Sequence, residues 1–157
     1  MQISVIGAGT SEGAPDILVD AEAVGRGIAE ADAVLVCGGM TGVMEAASRG
    51  AAEAGGTILG VIPTTEPADA NPYLTHVIAT GIGHARNLAV VASGDAVIAI
   101  GGEWGTLSEI AFARRLERPV VAIRSWSLQS RTGLEPGITE AENAEEAVQS
   151  ALSAARR

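Results

Sequence analysis

Two residues of opposite charge stand at the starts of successive helical segments. They are Arg86 in Gly83-His84-Ala85-Arg86-Asn87 and Glu109 in Gly101-Gly102-Glu103-Trp104-Gly105-Thr106-Leu107-Ser108-Glu109. A guanidinium and a carboxylate brought to one edge of a sheet suit the chemistry of an anionic ligand. Three glycine-rich loops, Gly7-Ala8-Gly9-Thr10-Ser11, Gly38-Gly39-Met40-Thr41-Gly42 and Gly101-Gly102-Glu103-Trp104-Gly105, each follow an apolar run and lead towards a helix. Glycine lets the backbone approach a ligand closely, and helix N-termini offer N–H groups to an anion, most naturally a phosphate. The candidate phosphate and ligand contacts are therefore Gly9, Thr10, Ser11, Gly38, Gly39, Met40, Thr41, Asn87, Gly101, Gly102, Glu103, Gly105 and Thr106.

Simpler roles compete for several of these positions. Thr106-x-x-Glu109 has the spacing of a capping box, in which the glutamate reaches back to the first backbone N–H of its helix. Thr139-Glu140-Ala141-Glu142 repeats that spacing where nothing suggests chemistry, so spacing alone decides nothing. His84 reads as a polar residue of a helix start. Cys37, between Val36 and Gly38, reads as a buried apolar side chain with no basic neighbour in sequence to activate it. Tyr73 and Trp104 could each stack on a flat heterocycle, with packing the expected role of Trp104.

Composition removes whole classes of function. All ten basic residues are arginine, so neither a lysine Schiff base nor a Walker A loop exists here. One cysteine and two histidines exclude an internal disulfide and argue against a closed zinc site, so no metal is expected. The segment GAGTSEG has three residues rather than two before its last glycine, and Cys37 is followed by Gly38 and Gly39 instead of a ribose-binding acid; a conventional NAD site is rejected. Ten basic residues against 19 acidic ones leave a net charge of −9, a field that repels nucleic acid. No apolar run reaches the roughly 20 residues of a membrane helix, and the start MQISVIGAG lacks the basic flank of a signal peptide. The expectation is a cytoplasmic protein of one domain over 1–157.

The elements that must position the loops follow from short β-branched runs alternating with alanine-rich helical stretches, the pattern of a parallel sheet covered on both faces. Strands are expected at 3–6, 33–37, 57–62, 76–80, 95–100 and 119–123. Helices are expected from Pro15 to about Asp32, from Val43 to Gly55, from Gly83 to about Ser93, after Gly105, and over 141–155, the last with an arginine pair in its final turn. The stretches 63–72 and 125–137 read as long irregular loops of the kind that serve as lids and set specificity. The fold class is thus α/β, a single doubly wound Rossmann-like domain with a mostly parallel sheet of six or seven strands. All three glycine loops then lie on the carboxyl edge, where ligands bind.

These residues resemble the LOG-like (SLOG) superfamily of Rossmann-type proteins, whose hallmark is PGGxGTxxE preceded by a helix start with an essential arginine. CGGMTGVMEAASRGAAEAGGTILGVIP is similar to the family's second glycine segment and following strand, so the resemblance runs from Met1 to about Ile123. GHARN and GGEWGTLSEIAFA look closer to a branch that includes molybdenum cofactor carrier proteins. In cytokinin-activating members the arginine and the last glutamate act in splitting a base from ribose 5′-monophosphate, and by motif position they map to catalytic Arg86 and Glu109. Glu109 would then stabilise oxocarbenium charge and orient water, while Arg86 holds the phosphate or polarises the leaving base. No cofactor would be needed for that hydrolysis.

This sequence departs from the pattern. Asn87 replaces a lysine, Gly101 a proline, Glu103 a glycine and Ser108 a glutamate. These departures count against the phosphoribohydrolase and for a binding protein, a carrier or sensor whose partner is a small phosphorylated heterocycle, either a nucleotide or the molybdenum cofactor. The resemblance also implies a homo-oligomer, commonly a dimer. DNA-processing relatives imply single-stranded DNA binding, which the charge balance opposes.

Overall fold

Residues of alternating direction build the central strands. In β1 (Gln2–Gly7) Ile3 and Val5 join one apolar cluster and Ile6 the other, and in β5 (Ala96–Ile100) Ala96, Ile98 and Ile100 face opposite to Val97 and Ala99. A strand apolar on both sides is stable only when helices cover both faces of its sheet. The computed structural model, which describes residues 1–10, 15–131, 133–134 and 137–155, shows that arrangement.

Seven parallel strands form one sheet in the order β4-β3-β2-β1-β5-β6-β9, adding β2 (Val34–Cys37), β3 (Ile58–Ile62), β4 (His76–Ala79), β6 (Val120–Ile123) and β9 (Ile138–Glu140). Helices α1 (Pro15–Glu30), α2 (Val43–Glu53) and α5 (Ala144–Ala155) pack on one face. Helices α3 (Asn87–Ser93) and α4 (Trp104–Arg115) pack on the other. The strand order reverses between β1 and β5, so the connections leaving their carboxyl ends part and open a crevice there. Among the described residues no helix is long and apolar enough to cross a membrane.

The structure moves three expected boundaries. Residues 141–143 are not helical; the chain first pairs as β9 along β6, Ala141 N–H bonds to Ala122 O, and Asn143 Oδ1 then accepts the Glu146 N–H to start α5. Thr139 of the second capping-box spacing lies in that strand, opposite Val121. The stretch 125–137 holds a short hairpin of β7 (Gln129–Ser130) and β8 (Gly133–Leu134). The helix expected from Gly83 begins as a tight 3₁₀ turn over Gly83–Arg86 before α3. The arginine pair Arg156-Arg157 and Ser11 lie outside the described residues.

Close helix packing holds the second glycine loop at the edge. A Cβ on Gly25 would sit 1.9 Å from the Ala47 carbonyl oxygen and one on Gly50 would sit 1.9 Å from that of Glu22, so α1 and α2 touch backbone to backbone. Gly25→Ala forces these helices apart and is expected to cost about 1–3 kcal/mol, the usual penalty of overpacking. Urea denaturation of the wild type and the variant measures it, and an unchanged midpoint would show that the helices separate freely.

Candidate functional site

Arg86 ends the 3₁₀ turn Gly83–Arg86, which directs its side chain inward under the glycine loops. The side chain is 8% exposed; Nη1 donates to Asn87 Oδ1 at 2.7 Å, and Nε is buried with no hydrogen-bond partner among the described residues. Gly38 makes room for it, because a Cβ at that position would stand 2.5 Å from Arg86 Nη2. Burial lowers the Arg86 pKa from the ordinary guanidinium value, opposed by the negative charge of Glu109.

Glu109 projects from the second turn of α4 and is also 8% exposed, with Oε1 3.8 Å from Arg86 Nη1. That distance brings charges together without a hydrogen bond. Loss of water pushes the Glu109 carboxyl up to about 7, and the cation of Arg86 only partly opposes the rise. Glu109 does not cap its helix. The N-cap of α4 is Glu103, which forms a reciprocal box with Thr106 at the third helical position, and Glu103 N–H donates to Thr106 Oγ1 at 3.5 Å. The Thr106-x-x-Glu109 spacing therefore misreads the start of α4 by three residues, and Glu109 is left for the cavity.

A cavity of about 300 Å³ collects these groups at the crevice between β1 and β5. Gly9, Gly38, Met40, Arg86, Asn87, Glu103, Gly105, Thr106 and Glu109 line it, all of them singled out by sequence. Thr10 and Thr41 act at the loops: Thr10 Oγ1 donates to Glu103 Oε1 at 2.8 Å, and Thr41 Oγ1 donates to Gly9 O at 2.8 Å. Gly39, Gly101 and Gly102 shape the loops without lining the cavity. Gly39 (φ 69°) packs on Ile62 and Leu74, Gly101 (φ 62°) on Ile17, and Gly102 on the Trp126 ring.

Sequence reasoning missed Gly7, Met44 and Pro63, which line the cavity beside Val5 and Ile6, and it gave His84, also a lining residue, only a local role. Pro63 directly follows β3, so its place on the carboxyl edge was the available signal. Asn71 was missed as well. Buried within the long 63–72 connection, it donates from Nδ2 to Met40 O at 3.1 Å, and its N–H donates to Gly39 O at 2.9 Å. This stretch therefore clamps the second glycine loop from below.

One other reading changes and one holds. Trp104 is 78% exposed, its ring 5.5 Å from that of Trp126 and tilted, so it is not a packed core side chain. Cys37 is buried as expected; burial pushes its thiol up, opposed by a hydrogen bond shared with Ser48, one from the Gly39 N–H, and the charge of Arg86.

The model of the SLOG cluster4 family matches residues 1–154. The chain belongs to this family. A protein of Archaeoglobus fulgidus carrying no functional description is 42% identical over 79% of this chain and 80% of its own length. The molybdenum cofactor binding protein from Rippkaea orientalis superposes with a TM-score of 0.87 at 33% identity, covering 97% of this chain and 95% of that one. The molybdenum cofactor carrier protein from Chlamydomonas reinhardtii superposes with a TM-score of 0.86 at 28% identity, covering 99% and 98%. The cytokinin riboside 5′-monophosphate phosphoribohydrolase of Rhodococcoides fascians is 39% identical over 57% of this chain and 47% of its own length, so the match spans about half of that enzyme.

The raised Glu109 pKa has a defined effect on stability. With a folded value of about 7 against an ordinary 4.5, the native state binds more protons between those pH values, so this group's contribution to stability falls as pH rises from 4.5 to 7. Glu109→Gln removes the cost. It is expected to raise Tm at pH 8, corresponding to about 1–3 kcal/mol, with the gain vanishing near pH 4.5. Thermal melts of both proteins across that range test it, and a pH-independent difference would contradict it.

Proposed function

We propose that this chain binds a phosphorylated heterocycle, a nucleotide or a molybdopterin-like cofactor, at the carboxyl edge of its sheet and acts as a carrier or sensor of it. The observation that carries the reading is the Arg86 guanidinium: buried, lining the cavity, with Nε lacking a hydrogen-bond partner among the described residues and the nearby Glu109 carboxyl pushed up to about 7. A buried donor left unsatisfied costs roughly 1–3 kcal/mol, more when charged, and an anionic ligand removes that cost. The chemistry of the donor set fits a phosphate at this end, with the guanidinium supplying charge and the Gly38–Thr41 loop supplying close backbone approach. Met40, Met44 and Pro63 add adaptable apolar surface for a ring. About 300 Å³ lies at the lower end of small-ligand cavities, room for a phosphate and the ring system next to it.

The similarity to molybdenum cofactor binding and carrier proteins supports the same ligand class. The reading further holds that the protein works in the cytoplasm, and apart from nucleic acid, which its net charge of −9 repels. A homodimer belongs to it too, since Leu88, Phe112 and Leu116 leave apolar surface on α3 and α4 for a second copy to cover.

A phosphoribohydrolase is the second reading, and one observation favours it. A carboxyl with a pKa of about 7, beside a cation on the wall of the cavity, is poised for general acid–base work. The two readings separate in one experiment. The purified protein is incubated with nucleoside 5′-monophosphates and, separately, with molybdenum cofactor; bound material is weighed by native mass spectrometry and free base is followed by chromatography. The expected result is retention of ligand without base release, with affinity lowered at least tenfold in Arg86→Ala. Base release abolished by Glu109→Gln would replace the carrier reading with the hydrolase.

A further inference from the structure

We infer that Glu103 is a specificity-determining residue of this cavity: it closes the N-terminus of α4 to anions and directs the ligand's phosphate to the Arg86 side. The inference rests on the reading of the cavity as a site for phosphorylated ligands. Two helices present their N-termini at this edge. Helix α2 begins on Gly42, where the first glycine loop covers it and Val43 N–H donates to Ala8 O at 3.0 Å, while the loop before it reaches Gly38 against the Arg86 guanidinium. Helix α4 begins on Glu103, whose own carboxylate stands over the Thr106 N–H where an external anion would otherwise sit. The Arg86 side of the cavity thus offers a buried, incompletely bonded cation, while the α4 end is filled by an internal anion.

The carboxylate is held in place. Thr10 Oγ1 donates to Oε1 at 2.8 Å, tying the first glycine loop to the third. Trp126 Nε1 donates to the Glu103 carbonyl at 3.3 Å, and its ring lies so close to Gly102 that a Cβ there would be 2.6 Å from Nε1. Swinging the Glu103 carboxylate aside to admit a phosphate would break the Thr10 hydrogen bond and the capping box, and leaving it in place would set two negative charges within contact range. A carboxylate accepts hydrogen bonds and donates none, so the part of the ligand that reaches Glu103 carries amino or ring N–H groups. The preferred ligand is anionic at one end and a hydrogen-bond donor at the other.

Titration calorimetry with inorganic orthophosphate tests this on the wild type, Glu103→Gln, Glu103→Ser, Trp126→Phe and Arg86→Ala, each checked for an intact thermal transition. Serine is itself a good N-cap, so the two neutral variants guard against loss of the helix start. Both are expected to bind orthophosphate at least fivefold more tightly than the wild type. Trp126→Phe, which frees the loop without changing its charge, is expected to stay within twofold, and Arg86→Ala to lose the wild-type binding. Unchanged or weaker binding in the neutral variants would overturn the inference, as would equal tightening in Trp126→Phe. Binding that emerges only on removing Glu103 would uphold the exclusion while removing the Arg86 phosphate seat. No binding in any protein would remove both.

Discussion

A guanidinium taken out of water without a full set of partners is the constraint on which this site is built. Arg86 reaches its position because the chain turns tightly over Gly83–Arg86 and because Gly38 has no side chain to block it. Its desolvation is only partly offset, by Asn87 Oδ1 and by a carboxylate 3.8 Å away. The same dryness that leaves Arg86 incompletely bonded raises Glu109 to about 7, so the pair is not a locked salt bridge. A cavity whose cation is balanced by a group near its own midpoint retains attraction for an incoming anion.

The scaffold delivers these groups through a few backbone contacts that admit no side chain. Strand order reverses at β1 and β5, which opens the crevice; α1 and α2 meet at Gly25 and Gly50, which sets the height of the second glycine loop; and Asn71 fastens that loop from a connection with little regular structure. The third loop is stiffened differently, by Trp126 against Gly102 and by the Thr10–Glu103 hydrogen bond. Each loop is thus held by a residue from a distant part of the chain, and these contacts set the walls of the cavity.

Much of the fold was legible because its signals are local. Short β-branched runs marked the strands β1 to β6, alanine-rich periodicity marked the helices, and glycine clusters marked the carboxyl edge. The misses have physical causes. Residues 138–140 are too few and too polar to read as a strand, and they become one only by pairing with β6. Asn71 lies in a proline-rich stretch with no periodicity, so nothing near it in sequence signals that its amide is buried. Trp104 was expected to pack, yet its position at the first turn of α4 leaves it in solvent.

By itself the sequence determined the α/β class, the absence of lysine chemistry, the three glycine loops and the residue types able to meet an anion. These depend on composition and on neighbours a few positions apart. Tertiary structure alone decided which carboxylate caps α4 and which one faces Arg86. Thr106 stands three residues from both Glu103 and Glu109, so spacing cannot choose between them. The choice falls to the backbone entering α4, to Thr10 bonding Glu103 from 93 residues away, and to the burial of Glu109 beside a cation on another helix. Desolvation and charge pairing are properties of groups that folding brings together, and they take effect only when the sheet has closed around them.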